Sequence, residues 1–303
     1  MSHDLLSRRD FLDRTARVAA GMALLPLVPR GLFDLAGRRR TGQATVIRQA
    51  RELSLSGDAI SMTWAFEEST LRAVRVLDRL HGRAIALPAD VFLLGLDDGP
   101  AIRSSALRLV SGPRQAHIAP DTHASRLAER LPGQRLTAVL ADPAGRLRAT
   151  WRAELRDGSR YIRQSVQLEA LNGGVPIREI VLWDLPLPGA GVRGSVKGSP
   201  VVAGDMFLGF EHPLSESRLE GDETVPQVRC RLARELPLRP GAATVVSSVV
   251  GVVPTGQLRR GFLDYVERER AHPYRTFLHY NSWYDLGYFS PYDEAGALDR
   301  IHA

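Results

Sequence analysis

From about residue 44 to residue 256, apolar side chains recur at every second position. Leu147, Ala149, Trp151, Ala153 and Leu155 alternate with Arg146, Arg148, Thr150, Arg152 and Glu154, which predicts a strand with one buried and one wet face. Ile162, Gln164, Val166, Leu168 and Ala170 keep the rhythm after the turn Asp157-Gly158-Ser159, as do Ile60, Met62, Trp64 and Phe66. Val228, Cys230 and Leu232 alternate with Arg229 and Arg231, making Cys230 a small core residue. Shorter apolar runs occupy 91–96, 180–185, 201–207 and 245–253. Asp97-Asp98-Gly99-Pro100, Asp142-Pro143-Ala144-Gly145, Asn172-Gly173-Gly174 and Arg239-Pro240-Gly241 punctuate the chain as turns. About a dozen short strands with little helix between them predict a mainly β fold, a large antiparallel β-sandwich. Nothing in this region repeats at a fixed period of about 20–50 residues, which argues against propellers and solenoids.

The period changes near residue 256. Leu258, Phe262, Tyr265 and Val266 fall at helical spacing within 258–271, with Glu267, Arg268, Glu269 and Arg270 as a solvated end and His272-Pro273 as the stop. A strand-like run, 276–280, follows, then an Asn-Ser-Trp turn and an aromatic loop to Phe289. Ser290 as N-cap, Pro291 at the first helical position and Asp293 at the third predict a last helix with Leu298 and Ile301 on one face. Strand, loop and helix in that order make one βα unit, and a lone parallel-type strand needs neighbours. The expectation is that a second domain begins here and breaks off.

Composition sharpens the picture at the N-terminus. The 303 residues carry 40 basic and 34 acidic side chains, for a net charge of +6. Residues 1–40 alone hold eight arginines against four aspartates, so the folded part is close to neutral, which weakens the argument for a nucleic-acid binder. Lys197 is the sole lysine, which marks the arginine content as a bias of the whole sequence. Ser7-Arg8-Arg9-Asp10-Phe11-Leu12 followed by an apolar run from Val18 to Val28 reads as a twin-arginine export signal. That run is short of the roughly 20 residues needed to span a bilayer. The expected location is periplasmic or extracellular, with the signal retained as a membrane-proximal anchor as the alternative. One cysteine excludes an internal disulfide framework.

Candidate chemistry is sparse. Glu67-Glu68 point to opposite faces of a strand, and Asp97-Asp98 are turn residues. Glu211-His212-Pro213 reads as a structured loop, since adjacent residues orient each other poorly for base catalysis. His117, Asp121 and His123 lack regular ligand spacing around Pro120, and Lys197-Gly198-Ser199 has the wrong order for a phosphate loop. No cofactor and no metal site are therefore expected. Tyr280-Asn281-Ser282-Trp283-Tyr284-Asp285 is the richest stretch. A tryptophan beside Asn and Asp after a strand suits a sugar, with the ring stacking on C–H surfaces and the polar groups taking hydroxyls. The plainer reading is aromatic packing at a domain boundary.

Five stretches also carry a family resemblance: Arg163-Gln164-Ser165-Val166, residues 194–202 (GSVKGSPVV), 207–213 (FLGFEHP), 251–260 (GVVPTGQLRR) and 280–285 (YNSWYD). Together they resemble the front half of glycoside hydrolase family 36 enzymes and the α-galactosidase clan. The resemblance implies a galactose-mutarotase-like β-supersandwich over 41–256 behind a signal and linker (1–40). It implies a linker helix over 257–275 and the start of a truncated (β/α)8 barrel over 276–303. It implies Trp283, Asn281 and Asp285 as substrate-binding residues and carbohydrate as the partner; the twin-arginine pattern adds the Tat translocase as the export partner, and the charge distribution argues against nucleic acid. It assigns no catalytic residue here, because the family's nucleophilic Asp and acid/base Asp lie on later barrel strands. The chain alone is then expected to be inactive. Alternatives are a non-catalytic carbohydrate-binding sandwich and a structural, partner-binding periplasmic protein. Replacing Arg8 and Arg9 together by Lys is expected to leave the protein in the cytoplasm, measured by cell fractionation; export at the native level would refute the signal.

Overall fold

The computed structural model describes residues 42–302 apart from 68, 277, 278 and 290. The twin-arginine segment, Glu68, Phe277, Leu278 and the proposed cap Ser290 lie outside the described residues. Eighteen strands are present among those described. In chain order they are β1 (Thr45–Gln49), β2 (Glu52–Ser56), β3 (Ile60–Glu67), β4 (Thr70–Asp78), β5 (Arg83–Ala86) and β6 (Leu93–Leu96). Then come β7 (Ile102–Arg103), β8 (Arg108–Ile118), β9 (Gly133–Ala141), β10 (Leu147–Arg156), β11 (Tyr161–Ala170) and β12 (Ile177–Pro186). The last are β13 (Ala190–Val192), β14 (Val201–Ala203), β15 (Met206–Phe210), β16 (Ser215–Glu220), β17 (Gln227–Ala233) and β18 (Ala243–Val252).

These form three sheets in which every ladder is antiparallel. A five-stranded meander runs β1-β2-β3-β4-β5, an eight-stranded sheet runs β13-β14-β15-β18-β11-β10-β9-β8, and a second five-stranded sheet runs β16-β17-β12-β6-β7. Both five-stranded sheets cover the same face of the large one, the meander over β9, β10 and β11 and the other over β15 and β18. A single core unites all three. The predicted antiparallel sandwich is therefore present. The alternation read from the sequence is its physical basis, since Leu147, Ala149, Trp151, Ala153 and Leu155 are all buried while the residues between them are not.

Differences from the sequence reading are local. The run 201–207 is two strands, β14 and β15, folded back at Gly204-Asp205, with Gly204 at φ +62°. A continuous apolar stretch buried on both faces hides that turn, whose signal is only the Gly-Asp pair. The predicted strand 276–280 is not seen in its described residues, as Thr276, His279 and Tyr280 are irregular. Asn-Ser-Trp opens one helical turn, α2 (Ser282–Asp285), rather than a simple turn. The last helix, α3, runs Glu294–His302 and excludes Pro291. Asp293 caps it, its Oδ1 accepting the Gly296 N–H at 2.9 Å. Asp293 is thus the cap rather than the third helical residue, as expected of a carboxylate that can satisfy an orphan N–H. The first helix, α1, spans Leu258–Glu269, close to its predicted bounds.

One polar side chain sits in the middle of the core. Gln164 on β11 faces inward with 5% exposure, and its Oε1 accepts both the Trp64 Nε1–H at 3.2 Å and the Trp151 Nε1–H at 3.1 Å. The two indoles meet edge to face at 5.0 Å, so one amide oxygen ties β3 of the meander to β10 and β11 of the large sheet. A buried N–H without a partner costs about 1–3 kcal/mol. Gln164→Leu therefore leaves two indole donors stranded and is expected to lower stability by roughly 2–5 kcal/mol. Urea unfolding checks this, and a loss below 1 kcal/mol would contradict it.

Candidate functional site

Two places on the chain gather functional-looking side chains. The first is the seat of α1 on the outer face of the large sheet. Tyr161, Val202, Phe207, Val249, Val253 and Tyr265 form a second apolar cluster, with Leu258 and Phe262 against it. The helix lies very close to the sheet, since a Cβ on Gly261 would fall 2.1 Å from Val253 Cγ1 and 2.9 Å from its Cβ. Likewise a Cβ on Gly251 would strike the Phe207 ring. These two positions accept hydrogen only.

Beside that cluster lies a buried ionic node. Arg163 of β11 points outward and makes a two-pronged pair with Glu211, Nε and Nη2 donating at 2.7–2.9 Å. Its Nη1 lies 3.1 Å from Glu269 Oε2 on α1. The Tyr265 hydroxyl donates to Glu211 at 2.6 Å and the Tyr161 hydroxyl to Glu269 at 2.8 Å, while Arg126 reaches Glu269 at 3.4 Å. Burial pushes the Glu211 carboxyl upward, but the charge and hydrogen bonds of Arg163, with those of Ser247 and Tyr265, prevail and hold it below the usual carboxylate range. Burial first, and the neighbouring carboxylates second, push both phenols far up, so they stay protonated donors.

The node explains Glu211-His212-Pro213 as a brace, in agreement with its reading as a structured loop, and His212 Nδ1 accepts the Leu214 N–H at 3.1 Å. It also corrects one expectation. The end of α1 is not uniformly solvated, because the Glu269 side chain is only 8% exposed and turned into the node. The sequence signal for this was the ionisable pair Arg163 and Glu211 next to apolar strand positions, which reads equally well as surface charge. Four of the five resemblance stretches supply the seat: Arg163, Val202, Phe207 with Glu211, and Gly251 with Val253 and Leu258.

The second place is the stretch singled out from the sequence. The structure brings Asn281, Trp283 and Asp285 together around α2, but spends two of them locally. Asn281 Oδ1 caps the helix by accepting the Trp283 N–H at 3.1 Å. Asp285 Oδ2 accepts the Tyr280 hydroxyl at 2.6 Å and lies 3.7 Å from Arg300 of α3. The hydrogen bond to Asp285 raises the Tyr280 phenol above its ordinary value. Trp283 meets Tyr288 edge to face at 4.7 Å, and Tyr288 in turn meets Phe289 at 4.3 Å. All are open to solvent, Trp283 at 57% and Tyr284 at 91%.

The remaining candidates are structural. His117 lies on the edge strand β8, and Asp121 accepts the His123 N–H in a turn. Among the described residues no cluster of three or more His, Cys, Asp or Glu is arranged to hold a metal ion. Cys230 is fully buried and burial pushes its thiol up to about 12, which makes it inert. No helix among the described residues is long and apolar enough to cross a membrane.

No protein-family model matches the chain, and no curated protein matches it. Among solved structures it is similar to the GH36 α-galactosidase AgaB of Geobacillus stearothermophilus, at 14% identity and a TM-score of 0.44, over 70% of this chain and 41% of that enzyme. It is similar to the α-galactosidase of Lactobacillus brevis at 10% identity and a TM-score of 0.44, over 72% of this chain and 42% of the other. A Klebsiella pneumoniae protein assigned as an aldose 1-epimerase gives 10% identity and a TM-score of 0.44, over 78% of this chain and 91% of that one. The chain spans less than half the length of these two α-galactosidases.

The Arg163–Glu211 pair makes a pH-dependent forecast. Glu211 is held below its unfolded value of about 4.3, so its stabilisation is complete above that pH and is lost as the pH falls through the folded value. Glu211→Gln is expected to cost roughly 2–4 kcal/mol at neutral pH. The gap from the native chain should hold between pH 5 and 7 and close in acid. Urea midpoints measured from pH 7 to pH 3 test it, and a gap unchanged at pH 3 would refute the pairing.

Proposed function

We propose that the chain is the saccharide-contacting β-sandwich portion of an exported, α-galactosidase-like glycoside hydrolase, and that residues 1–303 do not hydrolyse glycosides unaided. The observation that carries this reading is the exposed Trp283–Tyr288 aromatic pair, which starts on the same helical turn as Asp285, the acceptor of the Tyr280 hydroxyl. Aromatic faces take the C–H surface of a sugar ring and the flanking polar groups take its hydroxyls. The resemblance of residues 280–285 to the Asn-Ser-Trp element of the family supports the same assignment, with Trp283 as the stacking residue and Asp285, whose Oδ2 already accepts the Tyr280 hydroxyl, offering its other oxygen to a sugar hydroxyl. The twin-arginine pattern at Arg8-Arg9 supports export to the periplasm or beyond.

Catalysis of the retaining kind needs two carboxyl groups about 5–5.5 Å apart, one of them protonated through a raised pKa. The carboxylates displaced here are displaced the other way. At Glu179 and Glu211 burial is outweighed by arginine partners. Hydrogen bonds from Arg218 and Arg231 lower Glu216, and those from Thr224 lower Asp222. All four stay ionised and none is suited to protonate a leaving group. In the family that residues 280–285 resemble, the acid and the nucleophile are two aspartates on later barrel strands.

Calorimetric titration with raffinose, a galactose-terminated trisaccharide, tests the reading. Binding in the micromolar-to-millimolar range is expected, weakened at least tenfold by Trp283→Ala with no change in melting temperature. Turnover of nitrophenyl α-galactoside should be undetectable. Absence of binding to the native chain, or equal binding by the variant, would overturn the saccharide site; turnover by the pure chain would overturn the assignment of the carboxylates elsewhere.

A further inference from the structure

Among the described residues two clefts that border α1 differ in how their charge is balanced. In the first, of about 150 Å³, the arginines have carboxylate partners: Arg135 with Glu154 at 2.6 Å, Arg156 with Glu154 at 3.7 Å and Arg126 with Glu269 at 3.4 Å. Nothing there is left to recruit a ligand. The second, of about 370 Å³, is lined by Arg160, Arg260 and Arg268, with Gly158, Pro254 and Gly261 among its remaining walls. Its acidic lining residue, Asp264, is already held by Arg268, Nε to Oδ2 at 3.3 Å, and Arg268 is further fixed by its Nη1–H to Ser159 Oγ at 3.3 Å.

Arg160 and Arg260 are exposed and have no hydrogen-bonding or ionic partner for their guanidinium groups among the described residues. Both are presented by ordered backbone. The Arg160 carbonyl accepts the Val252 N–H at 2.9 Å next to β11, and Arg260 lies in the first turn of α1. Gly158 and Gly261 form part of the wall, and Gly158 has a φ of +69°. The cavity falls within the usual 300–1,000 Å³ of small-molecule sites. A guanidinium pairs with a carboxylate, sulfate or phosphate group through two parallel N–H donors. Three guanidinium groups facing one carboxylate leave the groove with net positive charge.

We propose that this groove is a binding site for an oxyanion carried on a small, ring-sized molecule, with Arg160 and Arg260 as the paired donors and Arg268 as the fixed wall. The site is separate from the Trp283 cluster and does not depend on the saccharide reading. The test is calorimetric or NMR titration of the folded chain with sulfate, inorganic phosphate and glucuronate, with glucose as the neutral control, at constant ionic strength set with sodium chloride. Saturable millimolar or tighter binding of at least one anion is expected, with none of glucose. Preference for glucuronate identifies a sugar acid as the ligand class, and preference for sulfate or phosphate identifies an ester.

Arg160→Gln with Arg260→Gln should weaken binding at least tenfold while Trp283→Ala leaves it unchanged. Asp264→Asn, which removes the competing carboxylate and frees Arg268, should tighten it several-fold, and this gain keeps the test decisive if the double variant folds poorly. Absence of saturable anion binding, equal binding by the folded double variant, or weaker binding by Asp264→Asn would overturn the proposal.

Discussion

Two adjacent residues of β11 hold the molecule together in opposite directions. Because successive side chains on a strand point to opposite faces, Gln164 enters the core and Arg163 leaves it. Gln164 satisfies two indole N–H groups with one oxygen and so fixes the meander against the large sheet. Arg163 collects Glu211 from the loop after β15 and Glu269 from the last turn of α1. Neither contact tolerates a register slip, since a shift of one residue would exchange the two faces and bury a guanidinium among leucines. The strand therefore carries its own register control.

The same pairing logic runs across the surface. On β12, β16 and β17, Glu179 is shared by Arg229 and Arg231, Arg231 also holds Glu216, and Arg229 holds Asp184. An arginine-rich chain of modest net charge spends its guanidinium groups on such networks, where the planar fork suits two-pronged contact with carboxylates. Buried charge is tolerated at the α1 seat for the same reason. Arg163 pairs with both Glu211 and Glu269, and the phenols donate to the remaining acceptor positions, Tyr265 to Glu211 and Tyr161 to Glu269. The pair adds specificity of docking to an apolar contact that Phe207, Phe262 and Tyr265 make in any case.

At the aromatic stretch the balance is reversed. Asn281 is consumed as a helix cap and Asp285 as the acceptor for Tyr280, so local structure takes the polar groups and solvent takes the rings. Polar residues in a short motif serve backbone needs first, because one helical turn has unpaired N–H groups at its start that a nearby side chain satisfies. What stays available for recognition is mainly aromatic surface, which matches carbohydrate better than it matches a charged ligand.

Much of the fold was legible because strand burial follows a period of two, and the chain keeps that period at Leu147–Leu155 and Ile162–Ala170 without interruption. The helical stripe of Leu258, Phe262 and Tyr265 was legible for the same reason at a period of 3.6. The hairpin inside 201–207 was not, since apolarity on both faces removes the alternation that marks where a strand ends. Sequence alone determined which residues are buried where a strand keeps the period of two, as at Leu147–Leu155, because that depends on neighbours two or four positions away. Only the tertiary structure decided that Glu269 turns inward, that Gly261 lets a helix touch Val253, and that Arg160 and Arg260 share a groove. Those outcomes join residues distant in the chain, and each depends on the distance between surfaces that no local pattern encodes.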